Sequence, residues 1–300
     1  MGANETGERE ELEELRRRTF AIAYRMTGSV SDAEDIGQEA FVRLERARRD
    51  GERIHSPKAW ISTVATRLAI DHMRSAQARR ESYVGPWLPE PLLTDGSQGP
   101  AEHAEVADTL SQAFLVLLET LSPVERAVFL LREVFGYEYP QIAEAVGRQE
   151  DNCRQITARA RRHVEARRTR FEADREHRDE LLDRFLEAAE SGDVESLKDL
   201  LAADAVVYSD GGGKISAARR PFVGADRIAR FMIRITRFRR ERGASHACRA
   251  AVNGQPAQLL IAPDGTVSDV LTIDAAESKI QTIRIVRNPD KLRHLHPDLS

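Results

Sequence analysis

The stretch from Tyr139 to Val164, YPQIAEAVGRQEDNCRQITARARRHV, constrains the fold more than any other part of the chain. A short helix with Ile142, Ala143 and Val146 on one face, a turn at Gly147 and a second helix make a helix-turn-helix, whose second helix can enter the major groove of DNA. With Cys153, Ile156, Ala160 and Val164 turned inward, the helical repeat leaves Asp151, Arg154, Gln155, Ala158 and Arg162 outward. Guanidinium and amide groups suit guanine and adenine edges. Seven arginines and one glutamate lie between Arg154 and Arg170. A merely solvated face, the alternative, would mix its signs, so Arg154, Gln155, Arg159, Arg161 and Arg162 are the DNA-contact candidates. Gln149 stands where Ser or Thr would cap the second helix and Asp151 is another possible cap, which leaves the phase of Arg154 and Gln155 open.

A chain of 300 residues has room for two or three domains. Its net charge of −4 excludes a uniformly basic nucleic-acid binder, so DNA affinity must come from local patches. No long uncharged apolar run and no signal-peptide pattern are present, which predicts a cytoplasmic protein that is neither inserted in a membrane nor exported. Cys153 and Cys248 stand alone, without CxxC spacing, and imply neither a disulfide framework nor a zinc site. No metal or other cofactor is implied.

The N-terminal segment is helical by pattern. Leu15, Phe20, Ile22, Ala23 and Met26 form an apolar face before a break at Gly28. Ser31 with Glu34 fits a capping box for a second helix, with Ile36, Ala40, Val42 and Leu44 inward and Asp32, Glu34, Asp35, Gln38 and Glu39 outward; acids there also complement the helix dipole. Ser56-Pro57 opens a third helix as N-cap and first-turn proline. It mixes a stripe of Trp60, Ile61, Val64 and Leu68 with Thr63, Arg67, His72 and Arg74. The stretch around VGPWLPEPLLTDGSQGP has too many prolines and glycines for a continuous helix or a central strand. Its Trp87, Leu88 and Leu92 would be unfavourable in an undocked tether, so this linker is expected to dock. Helix is expected again from Val106 to Leu121, and Ser122-Pro123-Val124-Glu125 combines a capping box with a first-turn proline.

Beyond Arg170 the pattern changes. Helix is expected from His177 to Leu201 with a break at Ser191-Gly192-Asp193, then AVVYSDGGGKISA as strand, Gly-rich turn and strand, with Ile215 continuing the second strand. Gly224 to Arg240 is an amphipathic helix, and four further strands are separated by turns that include Asn253-Gly254 and Asp264-Gly265. Helices followed by a curved antiparallel sheet argue an α+β cone. DGGGK is too short for a nucleotide-binding loop.

DAEDIGQEAFVRL followed by SPKAWISTVATRLAIDHMRS resembles region two of an extracytoplasmic-function (ECF) RNA polymerase sigma factor, and the helix-turn-helix resembles region four. The C-terminal half resembles a SnoaL-like, or NTF2-like, domain. WLPEP, DGGGK, NPDKL and NGQPA are similar to sequences of the sigma-J-like group, in which such a domain is fused to the sigma regions. The resemblance implies two all-α sigma domains followed by an α+β NTF2-like cone, with region two at 10–80, a linker at 81–107, region four at 108–170, the SnoaL-like domain at 177–292 and a tail at 293–300.

It also implies roles. Asp32, Asp35, Gln38 and Glu39 would contact the beta-prime subunit of core RNA polymerase. Arg53, Lys58, Trp60, Thr63 and Arg67 would melt and read the minus-ten element, although helical spacing favours a core place for Trp60. The helix-turn-helix would read the minus-thirty-five element, with the beta subunit a further partner. Trp87, Leu88, Pro89, Glu90 and Pro91, with Asp210, Gly211, Gly212, Gly213 and Lys214 and with Asn288, Pro289, Asp290, Lys291 and Leu292, would regulate between domains. No dedicated membrane anti-sigma factor is expected, and a small molecule in the cone is an open partner. The alternative is a helix-turn-helix regulator fused to a ligand-sensing or catalytic pocket, for which Asp210, His246 and Asp269 have the required chemistry without diagnostic spacing; the protein is expected not to be an enzyme.

Overall fold

The computed structural model describes residues 2–94, 109–168, 175–241 and 246–296. The linker glycines Gly96 and Gly99, Pro100, the helix start at Val106, Arg170 and the end of the tail lie outside them. The chain divides into two compact units, Met1–Glu81 with Leu117–Ala166, and Ser82–Val116 with Arg167–Ser300. The two sigma-like segments thus share one unit, while the linker belongs with the C-terminal half.

In the first unit, α1 (Gly2–Thr27), α2 (Val30–Arg49) and α3 (Pro57–Glu81) are followed, after α4 (Gln112–Leu118), by α5 (Pro123–Glu133), α6 (Tyr139–Val146) and α7 (Glu150–Arg168). Gly28, at φ +68°, makes the break expected after α1. The cap of α2 is Ser29, which accepts from the Asp32 amide, and not Ser31; the helix restarts as soon as the glycine has turned the chain. Ala33, Ile36, Ala40, Leu44 and Ala47 form its buried stripe. Val42, expected inward, is 43% exposed, because two residues from Ala40 is more than half a turn away. In α3 the buried apolar positions are Ile61, Ala65, Ala69, Ile70 and Met73, and Trp60, Val64 and Leu68 flank them half-buried. Ser122 and Glu125 form the expected capping box of α5, with Pro123 in its first turn. Ile142, Ala145, Cys153 and Ile156 pack with Val128, Leu131 and Tyr137 to lock the helix-turn-helix.

The second unit contains α8 (Arg175–Ser191), α9 (Val194–Leu200), β1 (Leu201–Asp210), β2 (Phe222–Val223), α10 (Ala225–Glu241), β3 (His246–Val252), β4 (Gln255–Ile261), β5 (Val267–Ala276) and β6 (Lys279–Val286). The strands form one sheet in the order β2-β1-β6-β5-β4-β3. The sheet is mixed, not antiparallel throughout: β1 pairs in parallel with β6, Val207 opposite Ile283, because the chain crosses over through α10 and the β3–β5 meander before β6 reaches its place. The hairpin from β3 to β4 turns at Asn253 and Gly254, both at positive φ. Ile215 does not continue a strand, since β1 ends at Asp210 and the next strand is β2.

One face of the sheet is filled by Leu271, Ile273, Ile283 and Ile285 against Phe185 of α8 and Met232 of α10. The other presents Val252, Leu259, Val270 and Val286, and onto these packs Leu88 of the linker, only 1% exposed. The linker expected to dock does so.

Candidate functional site

Gly147 closes α6 at φ +65°, and the Gln149 carbonyl accepts the first hydrogen bond of α7, from the Cys153 amide at 3.0 Å. That fixes the phase left open between Gln149 and Asp151. Cys153, Ile156, Ala160 and Val164 are buried, while Arg154, Gln155, Arg159, Arg161 and Arg162 are exposed. Arg154 lies over the Tyr139 ring, 4.4 Å from its centroid, and reaches Glu150 at 3.4 Å. Arg161 donates to both Glu133 oxygens, at 2.7 and 3.0 Å, and that carboxylate raises the guanidinium pKa. Arg162 bonds back to the Ala158 carbonyl at 3.2 Å.

Four of the five minus-ten candidates fall around one cavity of 580 Å3, lined by Arg53, Trp60, Thr63 and Arg67 of the N-terminal segment and by Tyr137, Gln141 and Glu144 at or beside α6. Arg67 donates to the Glu144 carbonyl at 2.7 Å and to the Ala145 carbonyl at 3.1 Å, at the C-terminal end of α6. A guanidinium there meets carbonyls that the helix leaves without intrahelical partners. Trp60 is not a core residue: its indole N–H donates to Glu52 at 3.1 Å. Lys58 lies outside that lining and pairs with Glu14 at 2.8 Å. Asp35 and Gln38 are exposed on α2, Glu39 pairs with Arg43 at 2.8 Å, and Asp32 lies 3.0 Å from His72 of α3.

Two residues that the sequence did not single out join the same segments. Arg18 of α1 donates to the Tyr137 hydroxyl at 3.0 Å and lies over the Phe135 and Tyr137 rings. Arg126 of α5, 1% exposed, donates to the Met26 and Leu118 carbonyls and pairs with Glu119 at 2.8 Å. Only the density of arginines signals them in the sequence.

The short motifs of the second unit meet at Asp210. Fully buried at the end of β1, its carboxylate accepts from the Tyr83 hydroxyl at 2.6 Å, the Leu88 amide at 2.9 Å, the Gly212 amide at 3.1 Å and the Lys291 ammonium at 2.8 Å. Lys291 also donates to the Leu88 carbonyl and stands 4.2 Å from the Trp87 ring centroid and 5.0 Å from that of Tyr83. Asn288 donates to the Tyr83 hydroxyl at 2.9 Å, and Lys214 pairs with Asp290. Pro89, Glu90, Pro91 and Leu292 are buried. Burial first, then the bond to Asp210, pushes the Tyr83 phenol above its ordinary pKa.

The glycines of DGGGK are sterically required. A Cβ on Gly211 would lie 2.7 Å from the Ile215 carbonyl oxygen, and one on Gly212, at φ +59°, would lie 2.3 Å from the Asn288 amide nitrogen. Further along the linker, Asn253 exchanges hydrogen bonds with Leu92 at 2.7 and 3.1 Å and donates to the Leu110 carbonyl, so the β3–β4 turn grips the linker as well.

Of the three residues weighed for catalysis, Asp210 and Asp269 are otherwise engaged. Asp269, 3% exposed, accepts from Arg239 at 2.7 Å, Arg287 at 2.6 Å and Ser268 at 2.8 Å. His246 is exposed at the start of β3. Among the described residues no group of acids, histidines and cysteines could hold a metal, and no helix is long and apolar enough to cross a membrane.

Comparison with known proteins matches residues 12–79 to Sigma-70 region 2 and residues 111–164 to Sigma-70, region 4. The chain is similar to the ECF RNA polymerase sigma factor SigJ of Mycobacterium tuberculosis, 37% identical over 225 residues that cover 74% of this chain and 71% of the relative. It is also similar to the probable ECF RNA polymerase sigma factor SigI of the same organism, 33% identical over 93% of this chain and 92% of the relative. The crystal structure of M. tuberculosis SigJ superposes with a TM-score of 0.75 at 31% identity, over 95% of this chain and 98% of that one. Both sigma regions, their order and the fused α+β domain agree, and the chain belongs to the ECF RNA polymerase sigma factors, which bind core RNA polymerase and promoter DNA.

Proposed function

We propose that this sigma factor reads the minus-thirty-five element with α7, melts the minus-ten element with Arg53, Lys58, Trp60, Thr63 and Arg67, and docks on the beta-prime subunit through the outer face of α2. On that face Asp35, Gln38, Glu39 and Val42 recur at helical spacing, an acidic stripe with one exposed apolar side chain. The fused domain modulates activity in cis by holding the linker that joins the two sigma regions, so this reading needs no separate membrane anti-sigma factor.

The observation that carries the modulation is the Asp210–Lys291 pair. It gathers WLPEP, DGGGK and NPDKL around one buried charge, and a buried pair that loses one partner costs about 3 to 5 kcal/mol. A linker pinned from Tyr83 to Thr94 has less reach than a free one. Lys291→Met leaves Asp210 unpaired and loosens that hold. Run-off transcription with core polymerase and full-length protein is the test: transcript yield from a cognate promoter rises several-fold in the variant. A folded Lys291→Met protein with unchanged yield refutes the modulation, and a wild-type protein that supports no transcript refutes the promoter assignment.

A further inference from the structure

Helix α10 carries six arginines, Arg227, Arg230, Arg234, Arg237, Arg239 and Arg240, against Asp226 and Glu241, in a chain of net charge −4. Its inner face is settled. Ile228, Ala229 and Met232 are buried with the sheet, and Arg239 turns inward to Asp269. At about 100° per residue, Arg227, Arg230, Arg234 and Arg237 fall within about 80° of one another on the opposite side, and all four are exposed.

A solvated face ordinarily mixes its signs. Helix α8 does so, with Arg178 and Arg184 among Asp179, Glu180, Asp183, Glu187 and Glu190. The row on α10 runs for ~15 Å at ~1.5 Å per residue, and a DNA strand presents one phosphate per ~3.4 Å of axis. The row's own partners are weak ones. Arg230–Asp226 at 2.9 Å and Arg237–Glu241 at 2.8 Å are exposed pairs one turn apart, and Arg227 stacks over Phe222 at 5.1 Å. Exposed pairs of this kind contribute little and are screened by salt, so exchanging them for phosphates costs little.

We propose that the outer face of α10 is a second DNA-binding surface, which contacts phosphates of the promoter and reads no bases. Arginines without amides among them supply charge along a backbone rather than the mixed donors and acceptors of base readout.

The experiment compares full-length wild type with the Arg230→Ala, Arg234→Ala, Arg237→Ala triple variant. Binding to a promoter duplex and to a scrambled duplex is followed by fluorescence anisotropy from about 50 to 200 mM salt, the range over which phosphate contacts show. Affinity for both duplexes falls about tenfold at low salt and their ratio is unchanged. The slope of log affinity on log salt becomes shallower by about 2 to 3, at about 0.9 per phosphate contact. The corresponding triple lysine variant, which keeps the charge, restores most of the slope. Arg154→Ala is the contrasting control, losing sequence preference with its slope nearly kept, so failure of the α7 reading is distinguishable from failure of this one. An unchanged slope overturns the proposal. So does weakened binding to core polymerase with DNA binding intact, which would assign the face to an acidic protein surface. If the triple variant melts early, Arg234→Glu in the middle of the row is judged by the same criteria.

Discussion

Asp210 shows why single residues matter in this molecule. A carboxylate taken wholly out of water is tolerated only when its lone pairs are filled and its charge balanced, and here two amides, a phenol and an ammonium do both. Gly212 belongs to the same arrangement, since a side chain at its positive φ would push Asn288 off the Tyr83 hydroxyl. The cluster predicts a pH response. The folded-state pKa of Tyr83 lies above its unfolded value, so its contribution to stability is complete below about pH 10, the ordinary tyrosine range. It falls as pH rises beyond that, because the unfolded chain releases the proton first. Wild type should therefore lose more stability above about pH 10 than Tyr83→Phe does, as measured by denaturant unfolding at a series of pH values. Parallel losses in the two proteins would show that Tyr83 does not report on the cluster.

At the scale of elements, α7 is held by its own inner face, which leaves Arg154 and Gln155 to act on a ligand without a folding role. Arg154 gives up only exposed contacts to Glu150 and Asp151 and its stacking on Tyr139. Arg154→Ala should cost ~1 to 3 kcal/mol of discrimination at one promoter position with little change in folding, measured as binding to duplexes varied one base at a time; an unchanged preference at every position would remove Arg154 from the readout. This helix was legible in the sequence because its signal is local: a period of 3.6, a glycine turn and a one-sided charge. The box at Ser122 and the β3–β4 turn at Asn253-Gly254 were legible for the same reason. Val42 was misplaced because it lies opposite the buried stripe of α2, and Trp60 because it only flanks that of α3, differences of phase that composition does not carry. The parallel β1–β6 pair and the Lys291–Leu88 contact, 203 residues apart in the chain, have no local signature. Resemblance named their motifs, but only the folded chain joins them.

At the scale of the whole molecule, the unit that contains both sigma regions meets a geometric demand from the promoter. Elements named for positions ten and thirty-five lie some 25 base pairs apart, ~85 Å at ~3.4 Å per step. A compact unit of about 130 residues has a radius of gyration of ~14 Å and is roughly 35 to 40 Å across. With the roles proposed above, it cannot place α7 and the Arg53–Arg67 stretch on both elements while its segments stay packed. Opening must break the bonds from Arg67 to the end of α6, from Arg126 to Met26 and from Arg18 to Tyr137. The first of these frees a proposed minus-ten residue at the moment it is needed, so separation and promoter contact are coupled through one guanidinium. Binding to core polymerase has to supply the free energy, because the Met26 carbonyl loses a fully buried donor in the process, while Leu118, on the same segment as Arg126, keeps it. Labels placed by Glu45→Cys on α2 and Glu165→Cys on α7, in a Cys248→Ser background with Cys153 buried, should report less than about 40 Å by energy transfer in the free protein, the span of one compact unit. In the promoter-bound holoenzyme the separation should exceed about 60 Å, set by the spacing of the two elements. Equal distances in the two states would mean that the packed unit reads only one element at a time.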